Sequence, residues 1–515
     1  MDDLCGPRLR YATGYSGPRM RGLTRRSALG ALGAPWLARG AVRKPNFLFL
    51  IADDHAGYAW GADGDRIAGT PNLDGLARES ARFTHHFCNS PVCTPSRQSL
   101  FTGQMPHSAG VTRLMTPLDS SKPTLARQFK KAGYTTAVFG KMHFQTKGEP
   151  GLHGFDHCHT EDVLTGEWEQ QVKPRPLPPG TRVRPPWKPF QDPARIWLNA
   201  DKLPYGCYER DMRACFQVRQ AERFLENHRR EPFALWVSFL EPHSPYDFPY
   251  EDRERYSPAR FTPPRPGPED LWQIPLVFKD LTDSDKRGIA AAYYTSIQFL
   301  DRNIGRVLAK LAEFGLAGDT VVVYTADHGY HVGQHGRFEK HCGFDEALRV
   351  PLVIRYPRAI RPRVVSALTE HVDLSATITD LCALEPFAVS HGHSLRPLLE
   401  GGSRGREFIF SEYLENEEAY IRSDRWKLIY CSGKRERQDG YRIENPPRSR
   451  YVRLYDLRAD AGETHDLSGE NPEVVTELKR RMLERFQTTH PDAAAAASTL
   501  NVDDELDFFL RPRDA

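Results

Sequence analysis

The stretch "NFLFLIADD" (46–54) is an unbroken apolar run closed by two adjacent carboxylates, Asp53 and Asp54. A run this short, apolar on both faces, suits a strand buried inside a parallel sheet, with its polar ending at the sheet's carboxyl edge. The same pattern recurs along the chain. "DTVVVYTADHG" (319–329) ends in Asp327-His328, "TTAVFGKMHF" (135–144) in Lys141 and His143, and "PFALWVSFLEPH" (232–243) in His243. "VPLVIRYP" (350–357) reads as a further strand. Helical patterns lie between them, in "NLDGLARESARF" (72–83), "TLARQFKKAG" (124–133), 209–228 and 285–314. Strands alternating with helices define an α/β fold: a large, mainly parallel sheet flanked by helices on both faces. Ligands of such sheets bind outside the carboxyl ends of the strands, where the four polar endings must gather.

The length of 515 residues leaves room for more than this sheet. Residues 42–402 read as an α/β catalytic domain. From 403 to 491, "EFIFSEYL", "AYIRSDRWKLIYC" and "YVRLYDL" read as antiparallel strands before a helix at 472–487, a smaller C-terminal α+β domain. The Ala-rich and acidic segments of 492–515 read as a tail. Two Pro-rich stretches, 173–193 and 242–275, exclude regular helix or central strand and are expected near the mouth of the site.

Residues 1–41 read as targeting sequence rather than fold. "LTRRSALGALGAPWLARGA" pairs Arg25-Arg26 with a short apolar run and small residues near Ala41, the form of a twin-arginine export signal. The run is too short to span a bilayer, so no membrane span is expected in the mature protein. A twin-arginine translocase is the implied partner, and the periplasm or the outside of the cell the destination. With 70 basic and 67 acidic residues the net charge is +3, which gives no general basis for nucleic-acid binding. The nine cysteines are scattered, odd in number and free of any CxxC, which argues against a disulfide framework or a thiolate zinc cluster.

Asp53, Asp54, Asp327 and His328, converging from two strands, fit one divalent cation. Oxygen donors favour Ca²⁺ or Mg²⁺, and the imidazole leaves Mn²⁺ or Zn²⁺ open. Lys141, His143, His243 and Lys340 (in "GRFEKHCGF") add cations and proton donors beside it, as an anion pocket requires. A metal with Lys and Arg suits a sulfate or phosphate ester, whose transition state carries charge on peripheral oxygens. His331 and His335 are spaced four apart, but Gly329, Gly333 and Gly336 argue against a helix, so they read as loop histidines. His85, His86, Cys88 and Cys342 read as packing residues.

"CTPSRQSLFTG" (93–103) matches the C-x-P-S-R signature of type I sulfatases of the alkaline phosphatase superfamily. The resemblance runs from about Pro45 to Leu467. It takes in "PNFLFLIADDH", "GKMH", "PHSPY", "ADHGYHVGQHG" and "LYDLRADAGETHDL" in that order. It implies that a maturation enzyme oxidises Cys93 to formylglycine, whose hydrated diol attacks sulfur. It also implies metal ligation by Asp53, Asp54, Asp327, His328 and the residue at 93. Arg97 would orient the diol, Lys141 and Lys340 grip the sulfate, His243 or Lys340 protonate the leaving alcohol, and His143 take the proton that lets sulfate depart. The implied substrate is a sulfate monoester of a sugar, aryl or choline-type alcohol, with a sulfated carbohydrate favoured by export. His328 stands where many relatives have Asn, as in some iduronate-2-sulfatase-like members. "GKMHF" followed by "LHGFD" also resembles choline sulfatases. The competing readings are a phosphonate monoester or phosphodiester hydrolase of the same superfamily, and a non-catalytic glycan-binding relative. The latter should lack a nucleophile or ligand, and here every motif position is filled.

Overall fold

Strand β1 (Asn46–Ala52) lies mid-sheet, paired in parallel with β6 (Phe233–Ser238) on one side and β7 (Thr320–Ala326) on the other. The computed structural model describes residues 44–184, 203–433, 440–447, 449–496 and 501–513. The expected export signal and residues 185–193 of the first Pro-rich stretch lie outside them. The remaining strands of the sheet are β2 (Ala81–Phe83), β4 (Thr135–Gly140), β5 (His157–Thr160), β8 (Leu352–Arg355) and β9 (Arg363–Val365). Their order is β5-β4-β6-β1-β7-β8-β2-β9.

All these pairings are parallel except those of β8, which runs against both β7 and β2. The reversal has a local cause. A parallel return needs a crossover of a dozen or more residues, usually a helix. The connection from β7 to β8 (327–351) is long enough for a crossover, but it holds only turns and the four-residue helix Asp345–Leu348 in place of a crossover helix, and β8 returns antiparallel.

Both faces of β1 are dry, which is why its sequence shows no alternation. Leu48, Leu50 and Ala52 share a core with Leu225 of helix Arg213–His228 and with Ile297 and Leu300 of helix Asp283–Glu313. Phe47, Phe49 and Ile51 pack on the other side with Phe101, Phe129, Trp236 and Ile378. Phe101 and Ile378 come from helices Cys93–Thr102 and His371–Leu381. Each large side chain buried this way stabilises the fold by about 1.5–3 kcal/mol.

A parallel pair, β3 (His86–Phe87) with β10 (Thr369–Glu370), leads toward the second sheet. That sheet is antiparallel, in the order β11 (Ile409–Tyr413), β12 (Glu418–Arg422), β13 (Trp426–Cys431), β14 (Tyr451–Asp456). The stretch "AYIRSDRWKLIYC" is thus a hairpin, turning at Ser423–Arg425. Helix Pro472–Thr489 covers one face. The expected tail is corrected: Val502–Phe509 is a helix, capped by the Asn501 side chain, and Leu506, Phe509 and Leu510 are buried beside Phe486. Leu506, Phe509 and Leu510 fall on one helical face, a spacing hidden by Asp503, Asp504 and Glu505 before them. The Pro-rich stretch 242–275 holds only short 3₁₀ turns, and no described helix is long and apolar enough to cross a membrane.

The two sheets belong to one compact unit, and a buried ion cluster joins them. Lys427 of β13, with no exposed side-chain surface, bonds Asp345 Oδ1 at 2.8 Å and Glu463 at 2.7 Å. Arg422 adds a contact to Asp345 Oδ2 at 3.1 Å. Removing one partner of a buried pair costs about 3–5 kcal/mol, because the other charge stays buried and uncompensated. Lys427→Met should therefore destabilise the protein by that order, read as a lower urea midpoint; a midpoint within error of the wild type would refute the assignment.

Candidate active site

Four adjacent strands, β4-β6-β1-β7, deliver the polar endings to one edge of the sheet. β1 runs straight into Asp53 and Asp54, and β7 into Asp327 and His328. The two ends are stitched together: Asp327 N–H donates to the Ala52 carbonyl at 3.2 Å, and Asp54 N–H to Asp327 Oδ1 at 3.3 Å. Asp54 sits at φ 65°, a conformation that non-glycine residues adopt at a cost and that cross-strand bonds hold in place. β4 ends in Gly140 at φ 107°, where a Cβ would lie 1.9 Å from the Ser238 carbonyl. Only glycine fits, and the next residue, Lys141, is thereby turned into the cleft with its N–H on the same carbonyl at 2.9 Å.

Cys93 is the first residue of helix Cys93–Thr102, all ten residues of which are buried. The N-cap, Val92, offers no side-chain cap, so the helix's unpaired N–H groups and their partial positive charge face the cleft. Cys93 Sγ lies 3.2 Å from His328 Nε2, 3.3 Å from Lys340 Nζ, and 3.7 Å from both Lys141 Nζ and Asp53 Oδ1. Arg97, one turn along, donates through Nε to Asp327 Oδ2 at 2.8 Å and through Nη1 to the Lys141 carbonyl and Ser238 Oγ. Its Nη2 is buried without a hydrogen-bond partner.

Charge in the cleft is evenly matched. The carboxylates of Asp53, Asp54 and Asp327 face the cations Arg97, Lys141 and Lys340. Lys141 pairs with Asp53, and Lys340 Nζ with Asp54 Oδ1 at 2.8 Å. Burial would raise the Asp53 pKa, but Lys141, with His243 and Arg97, holds it well below the usual carboxylate range. Asp54 behaves oppositely: burial outweighs Lys340 and pushes it up to about 7. Burial raises the Cys93 thiol despite the two lysines, and lowers His143 and His243 well below the ordinary imidazole value, Lys141 and Lys340 respectively adding to the effect. These imidazoles are therefore neutral proton acceptors at neutral pH.

The donor set fits a divalent cation. Asp53, Cys93, Asp327 and His328 present ligand atoms within 4.8 Å of one another, as do Asp53, Asp54 and His243. Asp54 Oδ2 is buried with no hydrogen-bond partner, an orphan acceptor that a cation would satisfy. Its other contact is His243 Nε2 at 3.9 Å.

All the residues singled out in the sequence thus converge, with one difference in depth. His143 stands at the rim, its Nδ1 3.2 Å from Thr94 Oγ1. Several supports carried no clear signal. Glu161 holds the backbone N–H groups of Met142 and His143 at 2.9 and 3.0 Å, Ser96 Oγ donates to the Asp327 carbonyl, and Gln98 donates to the carbonyls of Met142 and His143. Ser96 and Gln98 lie inside "CTPSRQ" and could have been found there. Glu161, at the end of an edge strand with no motif around it, could not.

Comparison with known proteins agrees with this geometry. The Sulfatase family model matches residues 45–383, and the model for the N-sulphoglucosamine sulphohydrolase C-terminal region matches 333–489. A choline-sulfatase of Rhizobium meliloti is 30% identical over 455 residues, covering 83% of each chain. An N-acetylglucosamine-6-O-sulfatase of Bacteroides thetaiotaomicron is 25% identical over 532 residues, covering 87% of each. Among solved structures, a phosphonate monoester hydrolase of Agrobacterium radiobacter superposes with a TM-score of 0.71 at 23% identity, over 89% of this chain and 98% of that one; this likeness is one of fold. The matched region contains the whole sheet edge and the helix that carries Cys93, and the chain belongs to the sulfatase family of the alkaline phosphatase superfamily, whose members hydrolyse sulfate esters.

Proposed function

We propose that this sulfatase removes sulfate from a sulfated carbohydrate outside the cytoplasm, through a formylglycine made from Cys93 and a bound Ca²⁺. The observation that carries the reading is the position of Cys93. It stands at a helix start, within 3.7 Å of two lysines, an aspartate and a histidine, in a cleft whose charges already balance. A plain buried thiol makes poor use of such surroundings. Hydrated formylglycine supplies two hydroxyls on one carbon, one to attack sulfur and one whose deprotonation lets sulfate leave. Asp53, Asp54, Asp327 and His328, with the residue at 93, would hold the cation, which would supply positive charge to make a hydroxyl at that position more acidic.

The chain's own residues do the rest. Lys141 and Lys340 hold the peripheral sulfate oxygens, and Arg97 keeps Asp327 and the strand ends in register while its Nη2, 3.7 Å from Asp53 Oδ2, adds positive charge beside position 93. Lys340, which stays a cation, gives a proton to the leaving alcohol, a step that His243 shares only once it has gained a proton, and His143, neutral at the rim, accepts one afterwards. The related N-acetylglucosamine-6-O-sulfatase and the 30%-identical choline-sulfatase support a sulfated sugar or a choline-type ester as the substrate class, and the export signature favours the sugar. A formylglycine-generating enzyme acting on "CTPSR" and a twin-arginine translocase complete the reading, with the periplasm or extracellular space as the site of action. A phosphonate monoester hydrolase is the second reading, favoured by the fold likeness.

Mass spectrometry of the tryptic peptide Phe83–Arg97, from protein made together with a maturation enzyme, should show an aldehyde at position 93; fully active protein carrying only thiol there would refute the mechanism. Cys93→Ala should abolish turnover without unfolding the protein. Lys340→Ala should lower kcat/KM on nitrophenyl sulfate by about 10²–10³, the usual effect of losing one charge-stabilising donor. Wild-type enzyme should hydrolyse nitrophenyl sulfate faster than the matching phosphonate monoester, and the reverse order would favour the second reading.

A further inference from the structure

Beyond the cleft, the loop after β7 gathers a second set of ligand-type side chains. His331 and His335 are buried, and Nε2 of each lies 3.7 Å from Glu346 Oε2, a carboxylate at the start of helix Asp345–Leu348. That separation is too long for a hydrogen bond, which needs about 2.7–3.2 Å. It is close to the edge of a tetrahedron around a metal with bonds of about 2.0–2.1 Å, an edge of about 3.3 Å.

The other nitrogen of each ring fixes its tautomer. His331 Nδ1 is 2.9 Å from the Glu339 carbonyl, and His335 Nδ1 is 2.9 Å from Asp270 Oδ1. Both partners are pure acceptors, so both Nδ1 atoms carry hydrogen. Nε2 is then the atom each ring turns toward the Glu346 carboxylate, which gathers two imidazole nitrogens and one carboxylate oxygen in a single cluster. Burial, with His335 beside it, lowers His331 to about 3, so that ring adds no proton to relieve the contact. An outer carbonyl or carboxylate on the far nitrogen is the support that metal-bound histidines receive.

The backbone points the same way. His335 sits at φ 53°, between Gly333 at 108° and Gly336 at 69°. A third glycine would be the low-cost choice there, yet an imidazole occupies the position and stacks on Phe344 at 3.6 Å. Cys342 Sγ is 3.9 Å from both nitrogens of His331, so it is not directed at Nε2 alone. Glu346 is partly exposed, which leaves a fourth position for water.

We propose that His331, His335 and Glu346 bind a zinc ion, with water as the fourth ligand, which pins the loop that carries Lys340. Two imidazoles and one carboxylate select a borderline metal such as Zn²⁺, whereas the oxygen-rich cleft suits Ca²⁺. The test uses the whole protein, stripped with chelator, exposed to zinc and calcium chlorides together, and desalted before metal analysis. About one zinc per chain is expected in the wild type, falling to background in His331→Gln and in Glu346→Gln and unchanged in Asp54→Asn. Cobalt(II) in place of zinc should give the visible absorption of a tetrahedral centre, absent from the same two variants. The same cobalt spectrum is expected in Asp54→Asn, whose altered side chain lies in the cleft, so the assignment stays testable even if both other variants fail to fold; its loss from Asp54→Asn would refute it. No zinc in the wild type, zinc kept by both variants, zinc lost from Asp54→Asn instead, or an octahedral cobalt spectrum would each overturn the proposal.

Discussion

The pairing of three buried carboxylates with three buried cations at one edge of the sheet is the constraint on which the rest depends. Each charge taken alone out of water would cost several kcal/mol, roughly what a small domain has in total stability. Asp53 with Lys141, Asp54 with Lys340, and Asp327 with Arg97 remove that cost pair by pair. The pairs also bring three strand ends, one helix start and one loop to a common point.

This arrangement explains why the site is rigid where it holds the reacting atom and looser where protons enter and leave. Cys93, Asp53, Asp54, Asp327 and His328 are almost wholly buried, and each is tied to a strand end or helix start. His143 and His243 come from turns and retain some exposure, His143 at φ 51° and His243 with Nδ1 on the Ser244 carbonyl at 2.6 Å. A proton acceptor at the rim can exchange with water; a metal ligand cannot usefully do so.

Much of this was legible in the sequence, because a buried parallel strand announces itself as a continuous apolar run and its next residue then lies at the ligand edge. Asp53, Lys141 and Asp327 follow from that rule alone. Lys340 stood out as a cation in "GRFEKHCGF" without a strand directly before it, whereas Cys93 and Arg97 became legible through the ordered sulfatase motifs. The reversed direction of β8 escaped because strand direction depends on what the connection is spent on, which apolar content does not encode. The helix Val502–Phe509 escaped because Asp503, Asp504 and Glu505 mask the apolar face that Leu506, Phe509 and Leu510 build. Glu161 escaped because it acts through backbone N–H groups, for which the sequence has no mark.

The Lys427 cluster sets a limit on how this enzyme can be recombined. Asp345 lies five positions beyond Lys340, so the catalytic loop is anchored by a lysine from the antiparallel sheet, more than eighty residues further along the chain. Where two regions meet through apolar surfaces alone, one can be exchanged for a homologous counterpart of similar shape. Here a donor sheet must also bring cations at the positions of Lys427 and Arg422, which both contact Asp345, and an acid at that of Glu463 to match the lysine. The C-terminal sheet is therefore inherited with the loop it anchors, and a chimera joined between the two would carry its fault into the active site.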